Sequence, residues 1–141
     1  MSLDLELLET SFDLIAPRGD ELMDEFYDRL FEAAPEVRSL FPEDMRGQKA
    51  MLLGALVLLR KSLRDLDSIV PKLQELGARH VAYGAKAEHY PVVGGTLISA
   101  MSKLAGEHWT GEMETAWSNA FGIVAGAMLV GAKQARLAAA A

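Results

Sequence analysis

The chain has three histidines and no cysteine, so its options for metal and nucleophile chemistry are few. Without cysteine there is no thiolate zinc site, disulfide framework or thiol nucleophile. The histidines His80, His89 and His108 lie apart and lack the His-Glu-x-x-His spacing of a catalytic zinc helix. No Gly-x-Ser-x-Gly turn supports a serine nucleophile, no Gly-Lys-Ser/Thr loop cradles a phosphate, and no paired Glu-x-x-His motifs suggest a di-iron bundle. The informative stretch is LQELGARHVAYGAKAEHYP, residues 73–91. His80 falls on the helix face that carries Leu73 and Leu76, where a carbonyl one turn back could accept the second ring N–H and orient the imidazole, as metal-bound histidines require. A half-buried histidine near a helix C-terminus explains the same spacing, and spacing alone leaves both readings open. His89 and His108 read as surface or capping residues.

Composition narrows what such a histidine could serve. Of 141 residues half are apolar and 24% charged, a composition for one globular domain over residues 1–141. The formal net charge of −6 disfavours a phosphate backbone as partner, so no nucleic acid is expected. No apolar run is expected to span a bilayer, and the acidic start MSLDLELLETSFD has neither half of a signal peptide. A cytoplasmic location is the expectation. What the chain binds is expected inside it, and a haem, needing one axial base and a large apolar slot, suits one nitrogen ligand among apolar helices.

The elements that must position His80 follow from periodicity. Residues 5–16 put Leu5, Leu8, Phe12 and Ile15 on one face, with Pro17 as the stop and Asp20 as cap of a helix carrying Leu22, Met23, Phe26, Tyr27, Leu30 and Phe31. Pro35 breaks that helix, and a short turn runs to Phe41. A helix over about 46–64 is apolar nearly all round between Ala50 and Leu59, which predicts burial on most sides. Its small residues Ala50, Gly54 and Ala55 allow close helix contact or leave space. Asp67 or Ser68 caps the helix of His80, Pro71 fits its first turn and Gly84 ends it. A further helix opens at His89-Tyr90-Pro91 and ends at Gly106, and Thr110 caps the last. No strand period is present, which predicts an all-α fold of about six to eight helices, the two long ones adjacent at the C-terminus.

EFYDRLF, PEVRSLF, LGARHVAYG, EHYPVVG and AWSNAFGIVAGAM, in that order along nearly the whole chain, resemble the bacterial single-domain haemoglobins and the globin domain of flavohaemoglobins. The resemblance implies the globin fold and haem b. It makes His80 the proximal iron ligand, Phe41 the phenylalanine packed on the haem face, Tyr27 and Gln48 the distal polar pair, and Leu52 their apolar neighbour over the iron. Tyr90 matches a tyrosine behind the proximal histidine. Leu76 and Val93, with Trp117 and Phe121 from the last helix, are implied as pocket lining.

One residue departs from that pattern. In flavohaemoglobin-like globins a glutamate on the last helix joins the proximal histidine and the tyrosine matched by Tyr90, and Ala132 stands at that place. Without the carboxylate the imidazole is less anionic and pushes less electron density to iron, so strongly oxidising chemistry is not expected. The implied function is reversible binding of dioxygen, nitric oxide or carbon monoxide at ferrous iron, with Tyr27 and Gln48 donating to the partly negative oxygen. The alternatives are NO dioxygenation, for which an external reductase is expected, and a gas or redox sensor. A monomer or weak homodimer is expected.

Overall fold

A computed structural model describes residues 3–140. Asp4 begins the first helix, its carboxylate accepting the Leu7 N–H at 3.1 Å, and α1 (Leu5–Ile15) turns Leu8, Phe12 and Ile15 inward. Helix α1 stops at Ile15, just ahead of Pro17, as expected. The fixed φ of Pro17 suits the 3₁₀ turn Ala16–Arg18, from which α2 (Gly19–Ala33) starts directly. Asp20 therefore lies in the first turn of α2 and is not its cap; Arg18 holds the cap position without a side-chain bond. Gly19 lies close to Leu53, whose terminal methyls would have to turn aside for a Cβ 2.9 Å away.

After the 3₁₀ turn Pro35–Leu40 comes α3 (Arg46–Lys61), which corrects two expectations. It ends before Arg64, giving way to a 3₁₀ segment, Leu63–Ile69, that is interrupted at Asp65. Nor is it buried on most sides. Leu56 and Leu59 are buried, but Met51 is 68% and Leu58 42% exposed. The reason is a shortage of neighbours: α3 packs on α2, on α1 and on the 3₁₀ segment, and its outer face has no helix to cover it among the described residues. Gly54 sits on that face with nothing within 4 Å of a Cβ.

The next helix, α4 (Val70–Ala82), is capped by Ile69 and not by Asp67 or Ser68; the Ser68 hydroxyl donates instead to the Asp65 carbonyl at 2.7 Å. Pro71 does lie in its first turn, and Gly84, at φ 89°, ends it in the left-handed region. Helix α5 (His89–Ala105) stops at Gly106, φ 58°, and α6 (Gly111–Ala140) is capped by the Thr110 hydroxyl, which accepts the Met113 N–H at 3.2 Å. Among the described residues the regular structure is thus six α-helices and short 3₁₀ turns.

Two pairings dominate the packing, α4 on α6 and α2 on α5. The first is unusually close. A Cβ at Gly77 of α4 would lie 1.9 Å from the Met128 carbonyl oxygen, and one at Gly131 of α6 would lie 1.8 Å from that of Gln74. Close helix contact therefore occurs here and not at the small residues of α3. Helix α6 is also long and apolar enough, by length and composition alone, to cross a membrane, contrary to the expectation that no run would be. In this fold it lies against α1, α4 and α5, and core helices pass the same test. Its Trp117 is the largest fully buried side chain. Its indole N–H donates to Ser11 Oγ of α1 at 2.8 Å, and Ser11 in turn donates to the Leu7 carbonyl at 2.7 Å.

Candidate functional site

His80 lies in the last turn of α4 with its Nδ1 2.7 Å from the Leu76 carbonyl oxygen. A carbonyl only accepts, so Nδ1 carries a proton and donates, and in the neutral ring Nε2 is then the nitrogen with the lone pair. That is the tautomer a metal-bound imidazole needs, and a backbone carbonyl is a usual partner for fixing it. Leu76 thus contributes its backbone as well as its place on the His80 face. The Tyr83 ring stands edge-on to the imidazole, centroids 5.5 Å apart at 64°.

Tyr90 shares no hydrogen bond with His80 among the described residues, the Nδ1 proton being committed to Leu76. Burial raises the Tyr90 phenol above its ordinary value, and the positive charge of Arg136 partly opposes the rise. Ala132 is buried one turn before Arg136. At the place where the resemblance would put a carboxylate, this chain therefore has a packed methyl group and, beyond it, a cation.

Tyr27 is anchored in the middle of α2, 3% exposed, and Gln48 in the first turn of α3. The Gln48 Nε2 donates to the Tyr27 hydroxyl oxygen at 3.1 Å. Direction matters here. The phenol oxygen accepts, so its own hydrogen remains free to donate elsewhere. Burial holds the phenol above its ordinary value despite the opposing bond from Gln48, so it stays protonated. Phe41 packs edge-on against Tyr27 at 5.7 Å and against Phe31 at 5.5 Å.

The segment carrying Phe41 has no helical ladder of its own beyond Leu40, and Arg38 holds it instead. The guanidinium donates to the carbonyls of Phe41, Pro42 and Glu43 at 3.4, 3.0 and 3.2 Å and lies 5.0 Å over the Phe31 ring. Leu52, Val93 and Phe121 are half-buried and pack against the core. Trp117 is deeper than a lining residue. It reaches the others through Phe121, ring centroids 5.3 Å apart, and its one polar atom is bonded to Ser11. His89 turns back to accept the Lys86 N–H at 3.0 Å, and His108 is exposed.

Sequence reasoning did not assign Arg38, Phe31, Tyr83 or Ser11 to this neighbourhood. Phe31 and Tyr83 were within reach of helical spacing, four residues after Tyr27 and three after His80. Nothing local marks Arg38 as a backbone clamp or pairs Ser11 with a residue 106 positions away. His80 with Leu76 and Tyr83 forms one cluster and Tyr27 with Gln48, Phe31 and Phe41 another; a ring nitrogen on the first and a polar pair among aromatic walls on the second suit the two sides of a flat apolar group with one axial nitrogen.

Comparison with known proteins finds relatives over most of the chain. The sequence model of the Globin family matches residues 24–128. A flavohemoprotein of Bacillus subtilis (strain 168) is 28% identical over 128 residues, covering 89% of this chain and 32% of the relative. The chain thus spans about a third of the length of such relatives. Among solved structures, an engineered carbene transferase made from a putative nitric oxide dioxygenase of Rhodothermus marinus superposes with a TM-score of 0.87 at 25% identity, covering 97% and 96% of the two chains. A bacterial globin from Campylobacter jejuni gives 0.81 at 26%, covering 92% and 94%.

Proposed function

We propose that this chain, which belongs to the globin family, holds haem b between α3 and α4 with His80 as the iron ligand, and that it binds dioxygen and other diatomic gases reversibly. The haem supplies a ferrous centre that shares electron density with such gases, and the protein supplies everything that selects among them. The observation that carries the reading is the direction of two hydrogen bonds. His80 Nδ1 donates to the Leu76 carbonyl and leaves Nε2 free for iron; Gln48 donates to Tyr27 and leaves the phenol hydrogen free for the gas. A ligand that takes on negative charge, as dioxygen does far more than carbon monoxide, gains most from such preorganised donors. Phe41, Leu52, Leu76, Val93 and Phe121 supply the dry surroundings in which those donors count.

The deciding experiment is an absorption spectrum of the purified protein. A Soret band that shifts on adding oxygen or carbon monoxide to the reduced form is expected. Absence of a Soret band even after haem is supplied overturns the reading.

A second reading is NO dioxygenation, in which dioxygen and nitric oxide give nitrate with one electron from an external reductase per turnover. It is favoured by the relatives, a flavohemoprotein and a putative nitric oxide dioxygenase. Ala132 and the Arg136 charge near Tyr90 weigh against it, because they leave the imidazole without an anionic partner. Nitrate formed over many turnovers with a reductase present separates catalysis from one stoichiometric reaction.

A further inference from the structure

We propose that Gly77 and Gly131 are positioning residues for His80, an inference that rests on the haem reading above. The two contacts are reciprocal. Gly77 lies over the backbone of Met128, three residues before Gly131, and Gly131 lies over the backbone of Gln74, three residues before Gly77. Both glycines therefore serve one seat in which α4 and α6 touch backbone to backbone. His80 follows Gly77 by three residues on the same rigid helix, and its ring is tied to that helix through Leu76. Where α4 sits, Nε2 sits.

The seat has no slack. An added Cβ would meet carbonyl oxygens at 1.9 and 1.8 Å, while real Cβ atoms keep at least 3.0 Å, and the obstructing atoms are helix backbone that cannot rotate away. Alanine at either position must therefore move α4 off α6 by about 1 Å, carrying the imidazole with it. Gly126, also on α6, has nothing within 4 Å of a Cβ and serves as the control.

The test compares Gly77→Ala, Gly131→Ala and Gly126→Ala with the parent. First, haem uptake is read from the Soret band. A parent that takes up no haem defeats the haem reading itself, and the positioning proposal with it. In haem-loaded protein the iron–histidine stretching band of the reduced form is read by resonance Raman, and haem loss is followed with an acceptor globin. Gly77→Ala and Gly131→Ala should each shift the band and speed haem loss roughly 10-fold, as loss of ligand support commonly does, whereas Gly126→Ala should change neither. The same Gly77→Ala change is then made in His80→Gly protein supplied with imidazole, where the ligand is no longer attached to α4. There its shift should vanish. An unmoved band in both single variants, or a shift that persists with detached imidazole, overturns the proposal. If alanine prevents folding at both sites, Met128→Ala removes buried volume beside the same contact. It should move the band too, and an unmoved band there is equally fatal.

Discussion

Replacing Tyr27 with phenylalanine removes one oxygen and leaves the ring packing against Phe26, Phe31 and Phe41 in place. In the parent that oxygen accepts from Gln48 at 3.1 Å, which leaves the phenol hydrogen as the donor available to a bound gas. A hydrogen bond to a charged partner is worth about 1.5–3 kcal/mol. Dioxygen should therefore leave Tyr27→Phe roughly 10- to 100-fold faster, at about 1.4 kcal/mol per tenfold change. Gln48→Leu tests the direction of the pair. Its amide strengthens the phenol as a donor by polarising it, a cooperative effect of about 10–30% of a bond, so dioxygen release should quicken by no more than about fourfold. The double variant should release fastest, because in Tyr27→Phe the freed Gln48 amide can turn to the ligand. The assay is stopped-flow displacement of dioxygen by carbon monoxide, with carbon monoxide release measured beside it as the ligand that accumulates little charge. An oxygen off-rate unchanged in Tyr27→Phe, or a larger effect from Gln48→Leu than from Tyr27→Phe, refutes the assigned roles.

Ser11→Ala leaves the fully buried Trp117 N–H unpaired and should cost about 1–3 kcal/mol, read as a lower urea midpoint with an unchanged slope. Arg38→Ala removes three bonds to backbone carbonyls and the contact with Phe31; a loss of about 1 kcal/mol is expected, with faster haem loss as Phe41 loosens, and Arg38→Lys should restore little because one ammonium cannot span the carbonyls. The burial-raised Tyr27 phenol gives stability a sign at high pH. Above about pH 10 the unfolded chain has already lost the proton that the folded chain keeps, so stability falls as pH rises toward the folded value. Urea midpoints across that range should decline in the parent and less steeply in Tyr27→Phe, where the burial-raised Tyr90 phenol still contributes.

The sequence carried the helix order well, because it rests on local signals, whereas His80 was singled out among the three histidines by resemblance and not by spacing. Periodicity placed α1, α2, α5 and α6, glycines 84 and 106 marked real stops, and the carbonyl expected to orient His80 proved to be that of Leu76. What failed were inferences that depend on neighbours. The run from Ala50 to Leu59 is apolar all round, but periodicity cannot count the helices that will cover it, and Met51 and Leu58 remain exposed. The cap residues Asp20, Asp67 and Ser68 were plausible by type, yet 3₁₀ turns run into α2 and α4 and move the cap positions to Arg18 and Ile69. Trp117 was an aromatic at pocket spacing whose polar atom was already claimed from α1. Gly77 and Gly131 carry no local signal of their role, and a glycine inside a helix ordinarily costs about 0.5–1 kcal/mol relative to alanine. Only the crossing of α4 over α6 shows what that cost obtains.

That crossing also divides the molecule. Tyr27 and Gln48 stand on α2 and α3, whereas His80 stands on α4, whose chief neighbour is α6 behind it and not α2 or α3. Groups with no shared packing partner combine additively in stability, within about 0.3–0.5 kcal/mol. Stability changes from substitutions at Tyr27 or Gln48 should therefore simply add to those from Gly77 or Gly131 in a combined variant. The fold can absorb a change in one cluster without repacking the other.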